Sequence, residues 1–110
     1  MRKILSMLFL AIAIFSFALS EPALAADAAQ GKQVFSANCA ACHMGGGNVV
    51  NGAKTLKKDA LEKYDMYDLD KIVYQVTNGK AAMPRFGGKL SAEQIDNVAA
   101  YVLEQAESGW

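Results

Sequence analysis

The sequence predicts an all-α domain of about four short helices, and three observations carry that expectation. No segment beyond residue 25 alternates apolar and polar residues as a half-buried strand would. Ile95, Val98, Ala99, Val102 and Leu103 recur at spacings of three and four, the period of one helix face. Ser91 and Gln94 stand at the start of that stripe in the S-x-x-Q order of a capping box.

The amino terminus belongs to a different class of segment. Arg2 and Lys3 precede an apolar run from Ile4 to Leu19, followed by Ala23-Leu24-Ala25. This is the pattern of a secretory signal cleaved before Ala26. The run is shorter than the roughly 20 apolar residues that a spanning helix needs. Residues 26–110 then form one mature domain, not membrane-spanning after cleavage.

Within that domain Asp27 can cap a first helix reaching Asn38, with Gly31, Val34 and Phe35 turned inward. Gly45-Gly46-Gly47 breaks the chain into a loop. Leu56 to Tyr64 reads as a short helix whose Lys54, Lys57, Lys58 and Lys63 form a solvated face. Asp68 begins a third helix along Leu69, Ile72, Val73 and Val76, and Asn78-Gly79 ends it. Gly79 to Leu90 has no periodicity but holds Met83-Pro84 and Gly87-Gly88, which reads as a loop with a specific task. The longest helix follows.

The chain has 11 basic and 11 acidic residues and no basic stripe, so the phosphate neutralisation that nucleic-acid binding requires is missing. A domain of this size buries a limited fraction of its surface and commonly relies on a staple, metal or cofactor. Cys39 and Cys42 are its only cysteines, too close together to close a stabilising loop.

Cys39-Ala40-Ala41-Cys42-His43 instead has the spacing of c-type haem attachment: two thiols for thioethers to one haem edge, and an imidazole to follow under the iron. A thioredoxin-like dithiol would want a βαβ setting, zinc would want a fourth ligand, and a plain disulfide leaves His43 unexplained. His43 is the only histidine, so a second axial ligand must be a methionine sulfur. Met44 adjoins His43 and reaches the far side poorly. Met66 stays a candidate. Met83 is preferred, forty positions on in the aperiodic loop, with Pro84 keeping the backbone extended and Phe86 placed to pack on a macrocycle. Such a pair raises the potential and closes the iron to oxygen chemistry, which favours an electron carrier without a substrate-converting site over an open-haem enzyme or gas sensor.

These segments, together with Lys54-Thr55-Leu56-Lys57-Lys58-Asp59-Ala60-Leu61, Tyr74-Gln75-Val76, Asn78-Gly79-Lys80, Phe86-Gly87-Gly88, Val98-Ala99-Ala100-Tyr101-Val102 and the terminal Trp110, resemble the cytochrome c6 family of cyanobacteria and algae over essentially all of residues 26–110. The resemblance implies the class I cytochrome c fold around one covalent haem c, with His43 and Met83 as iron ligands. It implies that the first helix packs across the last through Gly31, Phe35 and Tyr101, and that Gln75 faces the methionine side, where an amide would tune the potential. The task it implies is carrying electrons in the thylakoid lumen from cytochrome f of the cytochrome b6f complex to photosystem I. A periplasmic carrier donating to a terminal oxidase is the alternative. Arg85 and Lys89 could steer the carrier to an acidic partner surface. Met44, Arg85 and Lys89 depart from the commoner family pattern, and Lys89 keeps a charge while losing the planar fork of arginine.

Overall fold

The structure is a computed structural model and describes residues 26–110. The signal expected over residues 1–25 lies outside the described residues. Among the described residues five α-helices follow in order: α1 (Ala28–Asn38), α2 (Ala40–His43), α3 (Lys58–Lys63), α4 (Leu69–Asn78) and α5 (Ala92–Ser108), with a 3₁₀ turn over Met44–Gly46. The count exceeds the expected four because the Cys39–His43 segment itself coils into one turn. Among the described residues there is no strand, only isolated bridges at Lys80–Met83 and Gly87–Leu90.

The helix starts obey local chemistry. Asp27 caps α1 by accepting from the amides of Ala29 and Gln30, Asp68 caps α4 through the Lys71 amide, and Ser91 and Gln94 close both halves of the capping box on α5. Helix α3 is shorter than the Leu56–Tyr64 span expected. Lys57 precedes it in extended backbone without a side-chain cap, so Lys54 and Lys57 lie on the approach to the helix rather than on its face. Its exit is a left-handed Asp65 (φ 57°), followed by a bond from the Met66 amide to the Leu61 carbonyl at 2.7 Å.

The core is a single apolar cluster built on α5, with Ile95, Val98, Ala99, Val102 and Ala106 buried against Phe35, Leu61, Ile72, Val76 and Phe86. Helices α1, α3 and α4 all pack on α5. Leu69 departs from its expected place: at the first position of α4 it stays exposed, and that helix reaches the core only from Ile72 onward.

The α1–α5 crossing depends on a missing side chain. A Cβ on Gly31 would sit 2.0 Å from the Asn97 carbonyl oxygen and 2.9 Å from Tyr101 Cβ. Only glycine lets the backbones approach this closely. The buried Asn97 side chain completes the joint by accepting the Asp27 amide at 2.8 Å. Phe35, Tyr101 and Trp110 pack around it with centroids 5.3 to 5.9 Å apart in tilted and edge-on arrangements.

A second tie fixes the far end of α5. Glu107 accepts a hydrogen bond from the Tyr67 hydroxyl and pairs with Lys58 at 3.2 Å, while the Lys58 ammonium lies 5.4 Å from the Tyr67 ring centroid. The Tyr67 hydrogen bond, and then Lys58, hold the Glu107 carboxyl below its ordinary value, and the same contacts raise Lys58 and Tyr67. All three groups are solvent-exposed, so the tie is a modest one.

Gly31→Ala should lower the urea midpoint of the haem-loaded protein by the equivalent of about 2–3 kcal/mol with an unchanged m value, since the added methyl forces the helices apart. Glu107→Gln tests the second tie. A carboxyl lowered in the folded state adds stability above its unfolded value and loses it as the pH falls through the folded one. The variant should therefore melt below the parent at neutral pH, with the gap closing as the pH drops below 4.5.

Candidate functional site

The thiol pair is placed by the end of α1. Cys39 terminates that helix with its amide bonded to the Phe35 carbonyl at 2.8 Å, and its own carbonyl accepts the His43 amide at 2.9 Å. The buried Phe35 ring thus fixes the residue that opens α2. One helical turn brings Cys39 and Cys42 to the same side, and the chain leaves the turn at His43. Both thiols are free, Cys39 half-buried and Cys42 exposed. Burial, and secondarily the neighbouring Cys42, pushes the Cys39 thiol up to about 11, so it stays protonated at neutral pH.

The His43 ring has a defined orientation. Its Nδ1 lies 2.9 Å from the Gly47 carbonyl oxygen. A carbonyl can only accept, so Nδ1 carries a proton, and in the neutral ring Nε2 then keeps its lone pair for another partner. The turn supplying that carbonyl is held from the carboxyl terminus. The Trp110 indole covers Gly46, where a Cβ would fall 2.4 Å from the ring, and its Nε1–H donates to the Leu56 carbonyl at 2.9 Å. Leu56 in turn donates its amide to Gly46 at 2.8 Å. Trp110 therefore supports the histidine loop.

Cys39, Cys42, His43, Gln75 and Met83 line one largely apolar cavity of about 410 Å³, within the range of cofactor sites. Its walls include Leu56, Ile72, Val76, Pro84, Phe86, Val98 and Val102. Met83 arrives from the loop after α4, and that loop is zipped to the helix end: the Phe86 and Gly87 amides donate to Val76 and Thr77 at 3.0 Å each. Gln75, the residue before Val76, donates its side-chain amide to Met83 Sδ at 3.6 Å. A thioether sulfur has two lone pairs, so this contact leaves one free.

Met66 also lines the cavity, whereas Met44 is 76% exposed and does not. Arg85 and Lys89 lie outside it on the surface of the same loop, and Arg85 Nε folds back to donate to the Gly87 carbonyl at 3.3 Å. Sequence reasoning missed the polar rim. Asn48 accepts from the amides of Val50 and Asn51 and donates to the Lys54 carbonyl, and Asn51, Lys54 and Lys80 border the opening. The Asn48-x-x-Asn51 spacing was a turn signal, but nothing in it pointed to the cavity.

The donor set fits a haem: a largely apolar cavity, two free thiols and an imidazole that line it, and a thioether held by the loop after α4. The helices and comparisons with known proteins agree. The family model described as "Cytochrome C oxidase, cbb3-type, subunit III" matches residues 26–102. Cytochrome c6 of Nostoc sp. (strain PCC 7120) is 59% identical over 110 residues, covering 100% of this chain and 99% of the relative. Cytochrome c6 of Aphanizomenon flos-aquae is 67% identical over 85 residues, which is 77% of this chain and 98% of that one. The crystal structure of cytochrome c6 from the diatom Phaeodactylum tricornutum superposes with a TM-score of 0.75 at 57% identity, covering 76% of this chain and 99% of that one. Helical architecture, cavity and full-length identity converge: the chain belongs to the cytochrome c6 family, a class I cytochrome c with one covalently bound haem c that serves as an electron carrier.

Proposed function

We propose that this protein carries single electrons from cytochrome f of the cytochrome b6f complex to photosystem I in the thylakoid lumen, after export and removal of residues 1–25. The observation that supports this most is full-length identity to cytochrome c6 proteins, combined with a cavity that gathers Cys39, Cys42, His43, Gln75 and Met83. In this reading Cys39 and Cys42 form the thioethers and His43 Nε2 and Met83 Sδ are the axial ligands. The haem supplies the one-electron couple. The chain supplies constancy around it: Gly47 keeps the imidazole in one tautomer and orientation, and the zipped loop after α4 holds Met83 in place. Apolar walls keep water from the iron, so little has to rearrange when charge moves.

Gln75 sets the electronics of the methionine. An amide that donates to the sulfur weakens it as a donor to iron, which favours the reduced state. Replacing Gln75 with Val should lower the midpoint potential by tens of millivolts, since a hydrogen bond of roughly 1 kcal/mol compares with 59 mV per tenfold for one electron. Redox titration of the haem-loaded variant checks this, and an unchanged potential removes Gln75 from the tuning role.

Lys89 and Arg85 are exposed cations on the methionine loop, and in this reading they steer the carrier to an acidic partner surface. Flash spectroscopy of photosystem I re-reduction across a salt series tests both task and steering. The parent should give fast, saturable reduction. Lys89→Gln should be slower by about threefold at low salt and indistinguishable from the parent at high salt. Slow, unsaturable reduction by a protein with a normal haem spectrum would move the assignment to a carrier donating to a terminal oxidase, a reading kept open by the oxidase-subunit description of the matched family model.

A further inference from the structure

The four residues that deliver Met83 form a two-residue hairpin turn. Lys80 and Met83 exchange both backbone hydrogen bonds, the Met83 amide to the Lys80 carbonyl at 2.9 Å and the Lys80 amide to the Met83 carbonyl at 3.1 Å. The corners are Ala81 and Ala82. Ala81 has φ +53°, and Ala82 is not among the positive-φ residues. A positive first corner followed by a negative second has the signs of a II′ turn, whose first corner is glycine's position. Here it carries a methyl group.

The turn cannot relax by sliding. Gly79, just before it, runs so close to the returning strand that a Cβ there would lie 2.8 Å from the Met83 carbonyl and 2.9 Å from the Arg85 amide nitrogen. Beyond it, Phe86 and Gly87 are tied to the end of α4. Ala81 is itself exposed, at the edge of the cavity that it helps to line, and is not part of the buried core. The positive φ belongs to the closed turn that holds Met83 at the cavity, and its strain is released when that turn opens.

We propose that Ala81 is a positioning residue whose left-handed corner sets how readily the Met83 sulfur leaves its place, an inference that rests on Met83 being the sixth ligand. Relieving the corner tightens the methionine, and worsening it loosens the methionine, with the helices intact in both cases. A ligand that competes for the sixth position reads the detached population directly, because its apparent affinity scales with that fraction.

The test uses the haem-loaded protein with Ala81→Gly and Ala81→Val, carbon monoxide as the probe of the reduced form, the methionine-to-iron charge-transfer band of the oxidised form, and far-ultraviolet circular dichroism for the helices. Ala81→Gly should weaken carbon monoxide binding about threefold, losing the methyl penalty but adding glycine's freedom to the open loop. Ala81→Val should strengthen it about tenfold, because a β-branched side chain is a genuine outlier at positive φ, and should lose the band at a lower guanidinium concentration than the helices. Equal affinity in the parent and Ala81→Gly, shifts of both variants in one direction, or a band that disappears only together with the helices would overturn the proposal. A parent without the charge-transfer band would instead refute the Met83 ligand itself, and the inference with it.

Discussion

The crossing of α1 over α5 is the constraint on which the other parts of the molecule depend. Gly31 brings the two backbones to near contact at Asn97, and Phe35, one turn further on, reaches the core beside Tyr101 and Trp110. From Phe35 the geometry passes by one hydrogen bond to Cys39 and by another to His43. The position of the thiol pair and the imidazole is thus inherited from a helix contact that carries no chemistry of its own. A wider crossing would move the Cys39–His43 turn as a unit.

The cavity is bounded from two sides by different means. On the histidine side the support is aromatic and carboxyl-terminal, since Trp110 covers Gly46 and bonds the Leu56 carbonyl across 54 residues of chain. On the methionine side the support is backbone pairing, with the loop after α4 folded onto the last carbonyls of that helix. Those carbonyls lack partners within their own helix and would need water or a cap. The loop satisfies them and gains a fixed position for Met83 in return. One set of hydrogen bonds therefore serves both helix termination and the placement of the sulfur.

Fixed groups around a one-electron centre are what an outer-sphere carrier requires, because each atom that moves with the charge adds to the barrier. The wall residues that α4 and α5 contribute are short apolar side chains with few rotamers, and two polar contacts, Gly47 to His43 and Gln75 to Met83, hold their partners in single orientations. Charge sits on the outside. Lys54, Lys80, Arg85 and Lys89 are all exposed, so they can meet a partner without disturbing the interior.

Much of this was legible in the sequence. The capping residues Asp27, Asp68 and Ser91 marked helix starts because capping is local chemistry, and the inward residues of α1 and α5 followed from period alone. The Cys39-x-x-Cys42-His43 spacing stands out in the sequence because such a spacing is dictated by a cofactor rather than by the fold. Helix α3 came out shorter and Leu69 more exposed than expected, because burial depends on which neighbour covers a position, and periodicity contains no neighbours. Asn97 and the role of Trp110 were not legible for the same reason: each acts on residues far away in the chain. The Asn48 turn is local, and only its place on the rim of the cavity depends on the fold. The residues themselves pointed to an all-α domain behind an export-type amino terminus, with the spacing of one haem-attachment motif and methionines available to complete it. Only the tertiary structure decided that the Gly47 carbonyl frees His43 Nε2, that Gln75 lies on the Met83 sulfur and that Ala81 is held at a positive φ, because these depend on distances between segments that no local pattern encodes.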